Sequence, residues 1–275
     1  MNREKQLGII AGNRLLPVIL TQRIKEKDSA CYLVAVCFEG ETSRRILKYV
    51  DRCYWVKVGH LRDLKEVIKK ESIKNWIMAG QINPLYIFKR KYWDEELSSL
   101  VDGTCDFRPH TIFNKMIDYL KTTGIDFLDS TSYLKDDLAE AGEMAGLGID
   151  GYLSKNIDFG LDLVSKFVEL DIGQTVVVKN CSAVGLESLE GTDRAIKRSY
   201  RLAGQNCLVL KFCKSNQDLR FDVPVVGIST LRLLKNIKAA GLVLEKDKVI
   251  ILEKSKFLSL AKKWQIPVIG KERIL

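Results

Sequence analysis

The first half of the chain alternates short apolar runs with amphipathic stretches. Continuous apolar runs predict strands, and apolar residues at every third or fourth position predict helices. The predicted strands lie at 7–12, 32–38, 54–59 and 75–82. The predicted helices lie at 14–27, 42–50, 61–71, 110–123 and 132–140. Strands that alternate with helices are typical of an open, mostly parallel sheet, so residues 1–142 are predicted to form an N-terminal Rossmann-like α/β domain.

A glycine-rich stretch separates this half from the next. Residues 143–156 break the periodicity and are predicted to be a linker. The remaining residues, 157–275, are predicted to form a C-terminal α/β domain with a mixed sheet. Its predicted helices lie at 157–170, 193–203, 228–239 and 256–264, and its predicted hairpins at 175–188 and 242–254.

Composition and charge narrow the class of protein. Hydrophobic residues make up 46% and charged residues 29% of the chain, as in ordinary globular proteins. No window approaches the roughly 18 apolar residues of a membrane span, and the start, MNREKQLGIIAGN, lacks the apolar core of a secretory signal. The 7 cysteines include no C-x-x-C pair, which predicts reduced thiols and a cytoplasmic location.

The net charge of +9 favours an acidic partner: nucleic acid, an anionic membrane surface or a phosphorylated small molecule.

The stretch SNQDLRFDVPVVG places charged residues on alternate positions. Asp218, Arg220 and Asp222 alternate with apolar residues, the pattern of a strand or extended loop with one charged face. Two readings follow from these residues alone. Arg220 neutralises both carboxylates on the surface, an interaction that contributes little to stability. Alternatively, the carboxylates hold a divalent metal ion and the arginine holds a phosphate oxygen.

Polar residues elsewhere in the second half are predicted to lie at one end of its sheet. In EGTDRAIKR, Gly191 frees the backbone, Thr192 is a predicted helix N-cap and Asp193 lies in the first helical turn. Gln174 begins a strand and Lys211 lies in the strand before the acidic segment. Thr192 and Asp193 either contact a ligand or belong to a well-capped helix.

The basic side chains of that helix form one face, since they are three or four positions apart. They are Arg194, Lys197, Arg198 and Arg201. The face is either simply solvated or a surface for an acidic partner.

Two further motifs lie in the first half. LGIIAGNRLLP has the strand, glycine turn and helix of a nucleotide-binding turn, in which Gly12 would approach a phosphate. The stretch NPLYIFKRKYW, residues 83–93, interleaves aromatic and basic residues. Such a stretch binds nucleic acid, meets a lipid interface, or is ordinary amphipathic surface.

Three motifs in this order and spacing resemble a known family. LGIIAGNRLLP, DIGQTVVVKN with VGLESLEGTDRAIKR, and VLKFCKSNQDLRFDVPVVGISTL are similar to the two-domain UDP-2,3-diacylglucosamine pyrophosphatases of lipid A biosynthesis. The resemblance covers nearly the whole chain. It implies a cytoplasmic enzyme that uses Mg²⁺ to hydrolyse UDP-2,3-diacylglucosamine to 2,3-diacylglucosamine 1-phosphate and UMP. Many members carry a run of glycines where this chain has Gly12-Asn13-Arg14, and acidic residues where it has RPHT.

The resemblance implies that Asp222 is the essential aspartate. Together with the alternating charges of the acidic segment, this favours the reading in which Asp222 and Asp218 hold a metal ion and Asp222, Asp218 and Arg220 are the catalytic residues. The predicted substrate-binding residues are Gly12, Gln174, Gly191, Thr192, Asp193, Lys211 and Gln217.

The predicted partners are UDP-2,3-diacylglucosamine and an anionic membrane surface that the protein meets peripherally, with no nucleic acid. The alternative is a non-catalytic protein that binds nucleic acid or nucleotides through its basic helix and aromatic–basic stretch. The sequence does not fix the oligomeric state, and a homo-oligomer is one option.

Overall fold

A computed structural model describes residues 5–82, 86, 89–106, 108–146, 148–215, 218, 220 and 223–274. The chain divides into two compact units. The first unit contains the described residues up to Tyr133 together with Arg220, and the second contains those from Leu134 to Asp218 and from Val223 onward.

The first unit is built on a five-stranded parallel sheet in the order β3-β2-β1-β4-β5. Its strands are β1 (Gln6–Ala11), β2 (Tyr32–Phe38), β3 (Arg52–Val56), β4 (Asn75–Ala79) and β5 (Asp126–Leu128). Its helices are α1 (Leu16–Lys27), α2 (Leu61–Glu71), α3 (Glu95–Val101) and α4 (Pro109–Lys121), with short 3₁₀ helices at Arg44–Lys48 and Arg90–Tyr92. This strand order is that of a Rossmann-like sheet, which confirms the predicted fold of the first half.

The second unit is built on a six-stranded mixed sheet in the order β6-β13-β11-β9-β7-β8. Its strands are β6 (Gly142–Ala145), β7 (Thr175–Lys179), β8 (Ser182–Leu186), β9 (Leu208–Lys211), β11 (Gly241–Glu245) and β13 (Val268–Lys271). A separate parallel pair is formed by β10 (Val225–Val226) and β12 (Ile250–Ile251). Its helices are α5 (Gly151–Glu169), α6 (Thr192–Ala203), α7 (Ile228–Asn236) and α8 (Lys254–Lys263), with a 3₁₀ helix at Lys135–Asp137. The predicted mixed sheet is confirmed.

The centre of the second sheet explains its topology. Strands β9, β11 and β13 are parallel to one another, whereas β7 and β6 run antiparallel at either side. Strand β11 is buried along its whole length, as expected of a central strand between parallel neighbours. The carboxyl ends of three parallel strands therefore lie at one edge of the sheet.

The predicted hairpin at 175–188 is confirmed, since β7 and β8 pair antiparallel. The predicted hairpin at 242–254 is wrong, because β11 pairs in parallel with β9 and β13 while β12 pairs with β10. The turn between them bonds elsewhere: Lys246 N donates to Lys271 O and Asp247 N to Ala139 O. Two apolar runs around a charged turn read as a hairpin because the sequence does not show these distant partners.

The domain boundary differs from the predicted one. The two units divide between Tyr133 and Leu134, before the predicted end of the first domain at residue 142. Residues 143–156, predicted as a linker, contain most of β6 and the first turn of α5. Gly146 has a φ of +109°, and a Cβ there would lie 2.5 Å from the Cα of Pro267. The glycines thus serve an edge strand and a close backbone approach.

Two predicted helices are shorter than expected. The region 42–50 holds only the 3₁₀ helix Arg44–Lys48, and the region 132–140 only Lys135–Asp137. Among the described residues, no helix is long and apolar enough to span a lipid bilayer.

Helix α5 packs closely on the second sheet at Gly160. A Cβ at this position would lie 2.6 Å from a methyl carbon of Leu210, a fully buried residue of β9. At Gly151, in the first turn of the same helix, a Cβ would meet nothing within 4 Å. A Gly→Ala change therefore tests close packing at position 160, whereas at position 151 it tests helix propensity alone.

We expect Gly160→Ala to destabilise the protein by about 1–3 kcal/mol through overpacking. Gly151→Ala is the matched control and should be neutral or stabilising by a few tenths of a kcal/mol, up to about 1 kcal/mol, because alanine is the better helix former. Urea unfolding of the two variants measures the difference, and equal midpoints would contradict the tight contact.

Candidate active site

Polar side chains gather at one edge of the second sheet. Lys211 is the last residue of β9, and its backbone pairs with Thr175 at the start of β7. Because β7 runs antiparallel to β9, the start of one strand lies beside the end of the other. The loop after β8 and the first turn of α6 reach the same edge, since Glu187 N donates to Thr175 O over 2.9 Å.

The centre of this cluster is a buried lysine. Lys211 is only 4% exposed, and its Nζ donates to Thr192 Oγ1 over 2.6 Å. The Thr192 hydroxyl in turn donates to Glu187 Oε1 over 3.1 Å, and it lies 3.4 Å from the hydroxyl of Thr175. Within the described part of the chain, Thr192 is the hydrogen-bond partner of the ammonium and no carboxylate pairs with it directly.

A buried carboxylate accompanies this lysine. Glu187 is 8% exposed, and its Oε2 has no hydrogen-bond partner among the described residues. Burying charges is costly unless hydrogen bonds or opposite charges compensate. The cluster thus leaves bonding capacity on both the ammonium and the carboxylate.

The amino terminus of α6 faces this cluster through its first residue. Gly191 is the N-cap residue, with φ at +83°, and among the described residues no side chain caps the helix. The prediction that Thr192 is the N-cap is therefore wrong: Thr192 is the first helical residue, and its hydroxyl bonds Lys211 and Glu187 instead. Uncapped N–H groups and the helix dipole favour an anion at this position.

Neighbouring side chains hold the loop before α6 in place. Thr230 Oγ1, from α7, donates to Asp193 Oδ1 over 2.8 Å. Arg198 donates to Glu190 Oε1 over 2.7 Å and to Leu186 O over 2.8 Å. Burial acts to raise the pKa of Glu190, but hydrogen bonds from Arg198 and from backbone N–H groups hold that pKa below its ordinary value.

The structure brings together several residues that the sequence singled out. Lys211 and Thr192 are in direct contact, and Gln174 adjoins them because its O accepts from Phe212 N over 2.8 Å. Sequence reasoning missed Thr175, Glu187 and Thr230. The one signal was their place beside predicted site residues at strand or helix ends.

The two described charged residues of the acidic segment, Asp218 and Arg220, lie between β9 and β10 and outside any strand. Asp218 and Arg220 are both half-buried. The backbone oxygen of Arg220 accepts from the hydroxyl of Ser130, which is itself buried in the first unit, over 2.8 Å. Asp222 and Gln217 lie outside the described residues, so their predicted roles stay predictions.

Gly12 has a structural role in the first unit. Its N–H donates to Ala79 O over 2.8 Å, and the N–H of Asn13 donates to Gln81 O over 2.6 Å. A Cβ on Gly12 would lie 2.5 Å from Gln81 O. These two N–H groups are bonded to the last residue of β4 and to the loop that follows it, so substrate contact by Gly12 stays a prediction.

The aromatic–basic stretch is partly described. Tyr86 and Tyr92 stack edge to face at 5.6 Å, and Trp93 Nε1 donates to Tyr86 O. Lys89, Arg90 and Lys91 are exposed at their positions, and each also lies within 6.0 Å of a neighbouring ring. The rings thus pack against local partners while the cations face solvent.

Within the described ranges, no group of three or more His, Cys, Asp or Glu side chains is arranged to hold a metal ion. Carboxylate oxygens are the ligands that Mg²⁺ prefers. The half-buried carboxylate of Asp218 offers such a ligand, which fits the donor type expected for Mg²⁺.

Comparison with known proteins identifies the chain's relatives. The family model of the LpxI N-terminal domain matches residues 6–137, and that of the LpxI C-terminal domain matches residues 140–269. The UDP-2,3-diacylglucosamine pyrophosphatase LpxI of Caulobacter vibrioides is 29% identical over 277 residues, which cover 97% of each chain.

A solved structure is also similar over part of the chain. It is the biotin carboxylase domain of the Hydrogenobacter thermophilus 2-oxoglutarate carboxylase, at 12% identity and a TM-score of 0.27. The match covers 72% of this chain and 41% of the other, and a likeness this low carries no argument.

The two domain models together span both units, and the chain belongs to the LpxI family.

Proposed function

We propose that this protein hydrolyses the pyrophosphate of UDP-2,3-diacylglucosamine to 2,3-diacylglucosamine 1-phosphate and UMP. The observation that carries the proposal is the match to both LpxI domains along the chain. The pyrophosphatase named for the Caulobacter relative, aligned over 97% of each chain, supports the same substrate.

The cluster around Lys211 fits a phosphate group of such a substrate. Its ammonium and the amino terminus of α6 both favour negative charge, and Thr192 lies between them. In this role Lys211 neutralises a non-bridging oxygen, and Thr192 fixes the position of the ammonium. The Glu187 oxygen without a partner accepts a hydrogen bond from a substrate hydroxyl or a water molecule.

The acidic segment supplies the remaining groups in this proposal. Asp222 and Asp218 would hold Mg²⁺, and Arg220 would hold a phosphate oxygen through charge-assisted hydrogen bonds. When bound, Mg²⁺ neutralises charge on non-bridging oxygens and orients water for attack. Hydrolysis forms one bond from the water oxygen to phosphorus and breaks one bridging P–O bond, which gives the two monophosphates.

The primary test is release of UMP from UDP-2,3-diacylglucosamine by the purified protein with Mg²⁺. We expect Asp222→Asn to lower turnover by at least ~100-fold, the scale typical of a lost catalytic group. The matched control is Asp247→Asn, an exposed carboxylate in the turn after β11, which should keep the parent rate. UMP release should stop when a chelator removes Mg²⁺.

Turnover of Asp222→Asn within a few-fold of the parent would contradict the role of this aspartate. Absence of UMP release by the parent protein would contradict the activity itself. In that case the alternative, a protein that binds nucleotides or nucleic acid without catalysis, would be tested by binding of UMP and single-stranded RNA.

Thr192 provides a test of the phosphate cluster. We expect Thr192→Ala to lower kcat/KM by about tenfold or more, or about 1.4 kcal/mol, because the hydroxyl between Lys211 and Glu187 is lost. Thr192→Ser keeps the hydroxyl and should retain most activity. If Thr192→Ala lowers only the melting temperature and leaves kcat/KM unchanged, the hydroxyl has a structural role alone.

We also propose that the protein reaches its diacylated substrate at an anionic membrane surface. The first candidate surface is the aromatic–basic stretch, where Lys89, Arg90 and Lys91 are exposed. The second is an apolar patch of the second unit, whose four side chains are between 40% and 66% exposed: Leu170, Ile172, Leu186 and Leu189.

The apolar patch adjoins the phosphate cluster. The loop before β7 and the loop after β8 touch, because a Cβ on Gly173 would lie 2.2 Å from Glu187 O. Both loops also contribute to the cluster through Thr175 and Glu187. The patch therefore places apolar side chains beside the proposed phosphate site, where the acyl chains of the substrate must leave the bilayer.

Vesicle binding separates the two surfaces. Replacement of Lys89, Arg90 and Lys91 with Gln should weaken binding to phosphatidylglycerol vesicles and reduce its salt dependence, since each basic residue contributes about 1 kcal/mol at most. Leu170→Gln with Ile172→Gln should weaken binding even at high salt. A pair of variants that both bind like the parent would contradict docking through either surface.

A further inference from the structure

We propose that Arg273 and Glu245 position the start of the segment that leads from β9 to Asp218, residues 212–215. The inference rests on the proposed function, in which this segment carries the reacting groups. Arg273 follows β13 and Glu245 is the last residue of β11, so both stand at the sheet edge that holds the Lys211 cluster. We call these two residues and their contacts the Arg273 clamp.

The guanidinium of Arg273 makes three contacts at this edge. Its Nη1 donates to Ser215 Oγ over 2.6 Å, and its Nη2 lies 3.2 Å from Glu245 Oε2. The same Nη2 also donates to the backbone oxygen of Cys213. One planar group thus fixes two residues of the segment at once, which a lysine ammonium does not reproduce.

Glu245 completes the clamp from the other side. Its Oε2 accepts from Cys213 N over 2.6 Å as well as from Arg273. Glu245 is buried, and the side chain of Arg273 is only 17% exposed. Both backbone groups of Cys213 are therefore bonded to the two members of one largely buried ion pair.

Other contacts fasten the rest of the same stretch. Phe212 N donates to Gln174 O over 2.8 Å, and Ser215 N donates to Val168 O over 3.4 Å. Lys214 pairs with Asp171 at 3.1 Å. Every residue from 212 to 215 therefore has a fixed partner, and Asp218 follows three residues later.

A positioning role explains why the pair is buried. A buried ion pair adds little net stability compared with well-packed apolar residues, and Arg273 Nε has no hydrogen-bond partner among the described residues. The fold nevertheless keeps the pair where the chain leaves the sheet toward Asp218. Reacting groups lose rate when they are displaced by about 1 Å, so a rigid start to this segment has a direct catalytic use.

The test compares variants of the clamp with an adjacent exposed pair. Arg273→Lys keeps the positive charge but loses the planar guanidinium that bonds Ser215 and Cys213 together. Ser215→Ala removes one hydrogen bond from an exposed residue. The control is Glu272→Gln, which breaks the exposed Lys246–Glu272 pair at 3.0 Å without touching the segment. Ser215→Thr restores the hydroxyl and serves as the rescue variant.

We expect Arg273→Lys to lower kcat for UMP release by about tenfold or more while KM changes by less than about threefold. Ser215→Ala should lower kcat by a few-fold, and Ser215→Thr and Glu272→Gln should match the parent. Unchanged kcat in Arg273→Lys would overturn the inference. The inference would also be overturned if Arg273→Lys lost kcat only because part of the protein was unfolded, and Ser215→Ala kept the kcat of the parent.

Hydrogen exchange provides a readout that does not depend on the reaction. Amides of the peptide 212–218 should exchange faster in Arg273→Lys than in Glu272→Gln, with other peptides unchanged. Equal exchange in the two variants would overturn the clamp even if the parent released no UMP. Faster exchange together with an inactive parent would support the clamp and contradict the proposed function.

Discussion

Lys211 holds a positive charge at the end of a central strand, and the polar edge of the second unit's sheet is organised around it. An ammonium that is 4% exposed must have polar neighbours, because an isolated buried charge is strongly unfavourable. Thr192 and, through it, Glu187 meet that need. The same need explains why the loop before α6 reaches across to the end of β9.

The proposed function uses this arrangement to bind an anion. The hydroxyl of Thr192 links the carboxylate of Glu187 to the ammonium, and among the described residues no side chain caps the start of α6. A phosphate between the ammonium and the helix would complete both. The Caulobacter relative is named as a pyrophosphatase of UDP-2,3-diacylglucosamine, and in the proposed function the exposed apolar loops beside the cluster would meet the acyl part of such a molecule.

The segment with Asp218 and Arg220 depends on contacts far away in sequence. Its start is bonded to Arg273 and Glu245, and Arg220 is bonded through its backbone to Ser130 of the first unit. None of these partners belongs to a recognisable motif. Arg273, Glu245 and Ser130 each bond a backbone atom of this segment, at Cys213 or at Arg220.

The sequence by itself determined the fold class, the Rossmann-like first half and the antiparallel pair of β7 and β8. These follow from local periodicity, which each stretch of chain carries in its own residues. The motifs also marked Gln174, Thr192 and Lys211 as neighbours, because the ends of paired strands must meet.

Only the tertiary structure decided the pairings that depend on distant residues. It made β11 a central parallel strand instead of half of a hairpin, and it bound residues 142–145 as an edge strand beside β13. It gave the cap of α6 to Gly191 and turned Thr192 toward Lys211. For the strand pairings and for the Thr192 contact the physical reason is the same: a hydrogen bond between residues far apart in the chain leaves no periodic trace in the residues that form it.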